Sequence, residues 1–312
     1  MKSKAVFFTK ENGAVVREID VFDPKPNEVQ VKSLANGICM WEVWQYKTGN
    51  FDENEVKGHE GIGVITKVGK DVSGFKEGDL VNAYQWSEYS NLAQGWFIKL
   101  KCSMNDTLNH IVEPAACSIN AFSQANLYPG DRVIVFGAGY MGLLLIQLLA
   151  RYPLQKLVVV DLKATNLALA KQFGADEVID ISKQEGYLRL AEFDKKPFDI
   201  VFEASGARDA LDWSTRLAAA GGTLGIYAWH HEEQINTIDW HMKGLKVLNM
   251  SPQIVMHERK FRSFEAASKL MQSGRISQKK LITHKYGLED INKGMKESVL
   301  RPEGFIKSII VF

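Results

Sequence analysis

Two patterns of apolar and polar positions divide the chain into regions with different predicted structure. Over residues 1–100, short alternating runs are separated by Pro and Gly turns, which is typical of antiparallel strands. The turn at Asn12-Gly13 predicts a hairpin, and the spacing of the runs predicts a small barrel or sandwich. The predicted strands of this region are 5–8, 14–19, 28–34 and 61–68.

From residue 114 onward, continuous apolar runs alternate with helical patterns. Such alternation is typical of a doubly wound parallel sheet, so the predicted fold class is α/β with a separate β domain. The predicted strands are 133–136, 157–161, 177–181, 198–203, 221–228 and 245–250. The predicted helices are 115–125, a helix after residue 139, 163–173, 184–193 and 207–219.

The alternation ends at Ser251-Pro252. A helix (259–273), a strand (281–285), a helix (288–299) and a strongly apolar strand (305–312) are predicted beyond it. A terminal strand this apolar needs a sheet to join, and we expect it to return to the N-terminal β region. The predicted domains are therefore 1–117, 118–251 and 252–312, of which the first and third together form one domain.

A Gly-rich turn joins the strand at 133–136 to the helix that follows it. The turn reads Gly137-Ala138-Gly139-Tyr140-Met141-Gly142, and Asp161 ends the next strand about twenty residues later. This arrangement indicates a dinucleotide site, in which the first glycine permits the turn, the second lets the pyrophosphate approach, and the third permits close packing. The alternative is a structural βαβ unit without a ligand.

An acidic residue after the second strand favours NAD over NADP. Asp161 accepts hydrogen bonds from the ribose hydroxyls, whereas a 2′-phosphate would meet its negative charge. Lys163 weakens that argument. Ala204 and Ser205 follow a later strand and are further candidates for cofactor contacts.

Composition excludes several classes of partner. The net charge of +1 over 312 residues gives no reason to expect nucleic acid or an anionic membrane as a partner. Cys39, Cys102 and Cys117 form no disulfide framework, and the N-terminus resembles no secretory leader, so we expect a cytoplasmic protein. No apolar run is long and uninterrupted enough to predict a membrane span.

Four residues upstream of the Gly-rich turn carry metal-binding chemistry. Cys39, His59, Glu60 and Glu113 offer the thiolate, imidazole and carboxylate groups that zinc prefers at catalytic centres. Singly, each has a simpler interpretation: a core cysteine, a hydrogen-bonded histidine, or an acid at a helix start.

The joint order of these motifs resembles the medium-chain zinc-dependent alcohol and polyol dehydrogenases. The series runs through Gly37-Ile38-Cys39, Gly58-His59-Glu60-Gly61, Val112-Glu113-Pro114 and the Gly-rich turn. The resemblance implies a GroES-like β domain that carries zinc and a Rossmann domain that carries the cofactor. It also implies that Cys39 and His59 bind zinc, that Glu60 is a third or exchanging ligand, and that Glu113 binds directly or through water. In having an acid at position 113, the chain resembles the sorbitol and threonine dehydrogenase branch of the family.

Three departures from the family pattern affect these expectations. Residues 82–101 contain no cysteine, so the lobe that holds a structural zinc is deleted and we expect one zinc. Trp41 replaces the hydroxyl that normally passes the substrate proton outward, and Trp44 stands where a histidine is common. Glu42 replaces an aspartate that orients the ligand histidine.

The resemblance implies an NAD-dependent dehydrogenase that transfers a hydride between a secondary alcohol and the cofactor. We expect a polyol, sugar or cyclitol as the alcohol, or the matching ketone, and a homodimer or homotetramer. For the proton we expect Glu60 first, then Glu42, then His230, with ordered water and cofactor ribose as the alternative. The expected substrate contacts are Trp41, Trp44, Trp229 and His230, although a surface pair of His230 and His231 is the simpler interpretation.

Two other functions stay open on the sequence. The first is a zinc-free NADPH-dependent quinone or enoyl reductase of the same superfamily, against which the four candidate ligands argue. The second is a non-catalytic protein that binds a dinucleotide, which Trp41 favours because it removes the usual proton relay.

Overall fold

A computed structural model describes residues 1–230, 235, 237–250 and 257–312 of the chain. This described part contains fourteen strands and nine α-helices. The strands are β1 (Lys2–Thr9), β2 (Gly13–Asp20), β3 (Glu28–Gly37), β4 (Gly61–Val68), β5 (Leu80–Ala83), β6 (Tyr89–Ala93), β7 (Arg132–Phe136), β8 (Lys156–Asp161), β9 (Glu177–Asp180), β10 (Phe198–Glu203), β11 (Ala218–Ile226), β12 (Lys246–Asn249), β13 (Ile282–Gly287) and β14 (Lys307–Val311). The helices are α1 (Met40–Thr48), α2 (Val112–Gln124), α3 (Tyr140–Leu149), α4 (Ala164–Phe173), α5 (Gln184–Glu192), α6 (Arg208–Leu217), α7 (Ile238–Met242), α8 (His257–Gln272) and α9 (Ile291–Leu300). Three short 3-10 helices span Met104–His110, Phe193–Lys195 and Leu288–Asp290.

The chain divides into two units. The first combines Met1–Pro114 with Phe264–Phe312, and the second is Ala115–Ser263. The domain boundaries after residues 117 and 251 stay predictions, and the second of them falls in 251–256, outside the described residues.

The first unit is built largely from antiparallel strands. The hairpin of β1 and β2 turns at Gly13, whose φ of 70° suits glycine, and it places Val6 opposite Val16. A second sheet has the strand order β13-β14-β3-β4-β5, and β6 pairs with β3 beside it. The alternating runs of the sequence therefore form strands as expected.

The C-terminal strand joins this second sheet. β14 lies antiparallel to β3, with Ile310 opposite Asn36, and parallel to β13. Ile309 and Ile310 are fully buried. The expected return of the last strand to the N-terminal β region is confirmed, and burial of its apolar side chains explains why the chain must return there.

Helix α1 was missed by the sequence analysis, which predicts a mostly β region over residues 1–100. Its aromatic and β-branched residues favour strands when considered alone. Burial of Glu42, Val43 and Gln45 on one side overrides that preference, and Gly49 ends the helix with a φ of 71°. The short helix α7 was also missed.

The second unit contains one parallel sheet with the strand order β12-β11-β10-β7-β8-β9. Every neighbouring pair in it is parallel. This is the order of a doubly wound dinucleotide fold, in which the direction of winding reverses between the first and fourth strands, here β7 and β10. The predicted α/β class with a doubly wound parallel sheet is confirmed.

The centre of this sheet is apolar on both faces. Residues 133–136 and 157–160 are all buried, because helices cover a sheet of this class on both sides. A continuous apolar run in the sequence, without alternation, is the corresponding signal. Among the described residues no helix has the length and apolar character needed to cross a membrane.

We predict that Ile310→Ala destabilises the protein by about 2–5 kcal/mol, because it leaves a cavity among fully buried side chains. Ile310 packs in one cluster with Val6, Phe8 and Trp86. The measurement is urea unfolding followed by tryptophan fluorescence. Val311→Ala is the matched control, since Val311 is more than one-third exposed and should change stability by less than about 0.5 kcal/mol. Equal losses in the two variants would show that β14 is not anchored through Ile310.

Candidate metal centre and dinucleotide site

The four predicted metal ligands come together in the first unit. Cys39 immediately precedes α1, His59 and Glu60 precede β4, and Glu113 lies in the first turn of α2. Ligand atoms of His59, Glu60 and Glu113 lie within 4.8 Å of one another, and so do those of Cys39, Glu42 and His59. His59 therefore belongs to both groups.

Strand pairing explains why distant residues meet here. β3 and β4 are antiparallel, with Asn36 opposite Gly61, so the end of β3 lies beside the start of β4. The N–H of Gly37 donates to the carbonyl of Glu60 over 2.8 Å. Cys39 and His59, which extend these two strand ends, are thereby held close together.

Glu42 contacts the imidazole ring of His59. A Glu42 carboxylate oxygen lies 2.6 Å from Nδ1 of His59, and Glu42 is almost fully buried. When Nδ1 donates to that carboxylate, Nε2 carries the lone pair that a metal needs. That Glu42 takes over the orienting role of the family's aspartate stays a prediction.

Lys307 contacts the site from β14 and was missed by the sequence analysis. Its Nζ lies 2.5 Å from a carboxylate oxygen of Glu60 and donates to the carbonyl of Ile38 over 3.0 Å. Burial lowers the pKa of Lys307, but the negative charges of Glu60 and Cys39 outweigh it, so the pKa lies above its ordinary value. Lys307 is therefore a buried cation. The feature of the sequence that could have indicated it is a lysine within an otherwise apolar terminal strand.

Two glycines leave room for the site. A Cβ atom on Gly37 would lie 2.0 Å from a carboxylate oxygen of Glu60. Gly58 has a φ of 102°, and a Cβ there would lie 2.2 Å from the Trp86 ring. Trp86 is fully buried and donates from Nε1 to the carbonyl of Gly37 over 3.0 Å. Trp86 is thus a packing residue that supports the backbone beside the ligands.

The chemistry of the donor set fits a divalent metal such as zinc. A thiol, an imidazole and carboxylates converge, and Glu42, Glu60 and Glu113 are all buried. Buried carboxylates are costly unless a cation compensates them. Lys307 supplies one positive charge in this cluster, and a divalent ion would neutralise the remainder.

The pKa shifts of the ligands follow from the same charges. Burial raises the pKa of the Cys39 thiol, and the carboxylate of Glu60 raises it further. Burial lowers the pKa of His59, but Glu42 and Cys39 outweigh it, so the pKa lies well above the ordinary value. A bound divalent cation acts in the opposite direction on both groups, since it favours thiolate and neutral imidazole.

Elsewhere in the described parts of the chain, no third group of His, Cys, Asp and Glu residues has metal-binding spacing. The segment between β5 and Lys101 contains strand β6 and no cysteine. One metal per chain stays a prediction.

Two tryptophans stack on α1 next to Cys39. The ring centroids of Trp41 and Trp44 are 5.2 Å apart, with planes inclined by 21°. Trp41 is 40 % exposed. The first turn of α1 therefore presents an indole to its surroundings within two residues of a predicted ligand.

In the second unit, the Gly-rich turn has the expected backbone features. Gly137 has a φ of 101°, and a Cβ there would lie 2.7 Å from the Ser205 nitrogen. A Cβ on Gly142 would lie 2.0 Å from the carbonyl oxygen of Gly137, so Gly142 permits close packing against the turn itself. A Cβ on Gly139 would meet open space, which leaves the backbone accessible where α3 begins at Tyr140, followed by Met141.

Asp161 is fixed against this turn. Its carboxylate accepts from the N–H of Ala138 over 2.6 Å and from the N–H of Lys163 over 2.8 Å. Lys163 is the residue before α4. Asp161 thus stands at the end of β8, where a ribose would lie in a fold of this class.

The end of β10 carries a buried acid, Glu203, that the sequence analysis missed. Glu203 accepts from the N–H of Ser205 over 2.8 Å and lies 2.6 Å from Nε2 of His230. The feature of the sequence that could have indicated it is an acidic residue at the end of an apolar strand. Ala204 lies against Gly137, and Trp229 is half exposed. His231 lies outside the described residues.

Two family profiles match the chain. The alcohol dehydrogenase GroES-like domain matches residues 25–107, and the zinc-binding dehydrogenase profile matches residues 141–273. Together they cover more than half of the sequence, and they fall on the two regions with different predicted structure.

Characterised and uncharacterised relatives extend over nearly the whole chain. An uncharacterized zinc-type alcohol dehydrogenase-like protein of Escherichia coli is 28 % identical and covers 92 % of each chain. The sorbitol dehydrogenase of Gallus gallus is 27 % identical over 90 % of this chain and 89 % of that protein.

Solved structures agree with the fold. An Escherichia coli oxidoreductase/dehydrogenase of unknown specificity has a TM-score of 0.86 and 26 % identity, covering 100 % of this chain and 99 % of that one. A protein of Sinorhizobium meliloti described as a zinc-binding dehydrogenase and bound to NADP has a TM-score of 0.85 and 21 % identity, covering 100 % of both chains. By sequence motifs, fold and relatives, the chain belongs to the medium-chain zinc-type alcohol and polyol dehydrogenase family.

Proposed function

We propose that this chain is a zinc- and NAD-dependent dehydrogenase that interconverts a secondary alcohol and its ketone. The observation that carries the proposal is the buried donor group around His59, with Cys39 and Glu60 beside it and Glu42 on its Nδ1. A purely structural β domain has no use for buried acidic groups of this kind, which are unfavourable without a cation.

Cys39, His59, Glu60 and Glu113 would hold the metal. Glu42 would fix the orientation of His59, and Lys307 would hold Glu60 when the carboxylate is not on the metal. Zinc, when bound, would act as a Lewis acid on the substrate hydroxyl, and the nicotinamide would accept the hydride.

The Gly-rich turn and Asp161 support NAD as the cofactor. Both oxygens of Asp161 accept backbone N–H groups and each retains a second lone pair for a ribose hydroxyl. A 2′-phosphate would approach the same carboxylate, which repels it. The Sinorhizobium meliloti protein is bound to NADP, so the proposed preference of this chain for NAD must be measured.

The substrate we propose is a polyol, sugar or cyclitol. Glu113 and the sorbitol dehydrogenase relative support this class. Trp41, stacked on Trp44, offers an exposed indole, and an indole face packs well against the C–H face of a hydroxylated ring. Trp229 is also exposed and is a further candidate contact.

Glu60 is the proposed proton acceptor in oxidation. Trp41 cannot accept a proton, because an indole N–H is only a donor. Glu42 contacts Nδ1 of His59, and His230 contacts Glu203. Glu60 contacts Lys307 but belongs to the donor group with His59 and Glu113, which places it beside the proposed metal. The carboxylate of Glu60 would take the proton of the substrate hydroxyl, and Nζ of Lys307 lies 2.5 Å from one of its oxygens.

We predict one zinc per chain and loss of that zinc in Cys39→Ala. Binding of NADH should persist, because Cys39 and the Gly-rich turn belong to different units. Elemental analysis after dialysis measures the zinc, and fluorescence titration measures NADH. Cys102→Ala is the control and should keep its zinc, since Cys102 belongs to neither donor group. Two zinc ions per chain, or an active enzyme with none, would contradict the proposal, and the second result would favour the zinc-free reductase.

We predict that the wild-type enzyme prefers NAD over NADP. Asp161→Ala should reduce this preference, because the variant loses both the contact with the ribose of NAD and the repulsion of the 2′-phosphate of NADP. The ratio of kcat/KM for NAD and NADP is the measurement. Asp180→Ala, at the end of the neighbouring strand β9, should leave the ratio unchanged. A wild-type preference for NADP would show that Lys163 and its neighbours outweigh Asp161.

We predict that Glu60→Gln lowers kcat for alcohol oxidation by about 10²- to 10⁴-fold, because general-base assistance contributes that range. The rate is measured across the pH range with the zinc content checked in each variant. Glu42→Gln and His230→Ala are compared alongside and should lose less at equal zinc content. A Glu60→Gln enzyme that keeps both its zinc and wild-type kcat at every pH would exclude Glu60 as the proton acceptor.

A further inference from the structure

A buried acid and a buried histidine form a pair at the carboxyl edge of the parallel sheet. Glu203 ends β10 with no exposed surface, and its carboxylate accepts from the N–H groups of Ser205 and Gly206 over 2.8 and 3.0 Å. The other carboxylate oxygen lies 2.6 Å from Nε2 of His230, which follows β11. Glu203 therefore connects the backbone that follows β10 to the side chain of His230, which follows β11.

The pair lies at the point where the winding of the sheet reverses. β7 and β10 are neighbours there, and a Cβ on Gly137 would lie 2.7–2.8 Å from backbone atoms of Ala204 and Ser205. A Cβ on Gly206 would lie 3.1 Å from the carbonyl oxygen of Trp229. The turns after β7, β10 and β11 are therefore in contact, and ligands of doubly wound sheets bind outside this edge.

One ring nitrogen of His230 has no hydrogen-bond partner among the described residues. Its Nδ1 is buried and makes no hydrogen bond with any described residue. Only 9 % of the side chain is exposed. A buried polar atom without a partner is unfavourable. Since Nε2 is engaged by Glu203, Nδ1 is the atom on which a ligand could act.

We propose that His230 Nδ1, oriented by Glu203, forms a hydrogen bond with the carboxamide of the nicotinamide ring. The proposal rests on the proposed dinucleotide function. In a fold of two mononucleotide-binding halves, the Gly-rich turn and Asp161 serve the first half, and β10 and β11 belong to the second, which takes the nicotinamide nucleotide. A carboxamide carries both a donor and an acceptor, so it suits Nδ1 in either protonation state.

This role differs from proton transfer and from a purely structural tie. A proton carrier would need a free nitrogen near the substrate hydroxyl, whereas a structural tie would need only the contact of Nε2 with Glu203. His230 is therefore a positioning residue for the cofactor, and amide variants separate the roles. The amide of Gln reaches the position of Nε2 and can keep the Glu203 contact, while the amide of Asn reaches the position of Nδ1 and loses that contact.

The experiment measures dissociation constants of NADH and of ADP-ribose, which lacks the nicotinamide, for His230→Gln, His230→Asn and His230→Ala. We expect Gln and Ala to weaken NADH binding by about three- to tenfold, the range of one lost hydrogen bond. Asn keeps a polar atom at the position of Nδ1 but loses the contact with Glu203, so its loss should be smaller than that of Gln. ADP-ribose binding should be unchanged throughout. His241→Ala is the matched control, an exposed histidine of the same unit.

Three results would overturn the proposal: unchanged NADH binding in Gln and Ala, a larger loss in Asn than in Gln, or equal losses for NADH and ADP-ribose. The second would assign His230 to a structural tie with Glu203, and the third to support of the whole turn. A wild-type protein that binds neither NADH nor ADP-ribose would instead overturn the dinucleotide function itself. Thermal unfolding of each variant checks that the fold is retained.

Discussion

The negative charge buried beside His59 is the constraint on which the first unit depends. Glu42, Glu60 and Glu113 bring carboxylates out of solvent, and each uncompensated charge there costs several kcal/mol. The protein offsets part of this with Lys307 against Glu60 and with His59 against Glu42. A divalent ion would complete this compensation, so the arrangement of donors and the proposed metal would have one electrostatic origin.

The backbone holds these charges where a flexible loop could not. Cys39, His59 and Lys307 each stand at or next to a strand of one sheet, and β3 pairs with both β4 and β14. The second unit uses the same device at its own sheet edge, where Asp161 and Glu203 end parallel strands on either side of the Gly-rich turn. In both units, strand ends place polar side chains and apolar strand centres keep them in place.

The sequence predicted features that are local or that follow a repeated spacing. The Gly-rich turn with Asp161, the alternating strands, and the series from Cys39 to Glu113 could all be identified from residue type and order. Lys307 could not, because its contact with Ile38 joins residues 269 positions apart and depends on how β14 pairs. The Glu203–His230 pair was missed because its two residues, 27 positions apart, meet only through the parallel pairing of β10 with β11. Helix α1 was missed because its aromatic residues favour a strand until burial of Glu42 and Val43 is known.

We propose that the buried donors around His59 hold one metal ion through Cys39 sulfur, imidazole nitrogen and carboxylate oxygen. X-ray absorption at the zinc edge of the purified, zinc-loaded protein tests it most directly, because sulfur and lighter ligands scatter at distinguishable distances, about 2.3 Å and about 2.0–2.2 Å. We expect one sulfur neighbour, with nitrogen and oxygen as the remaining neighbours. A shell without sulfur, or with two or more sulfur atoms, would contradict it.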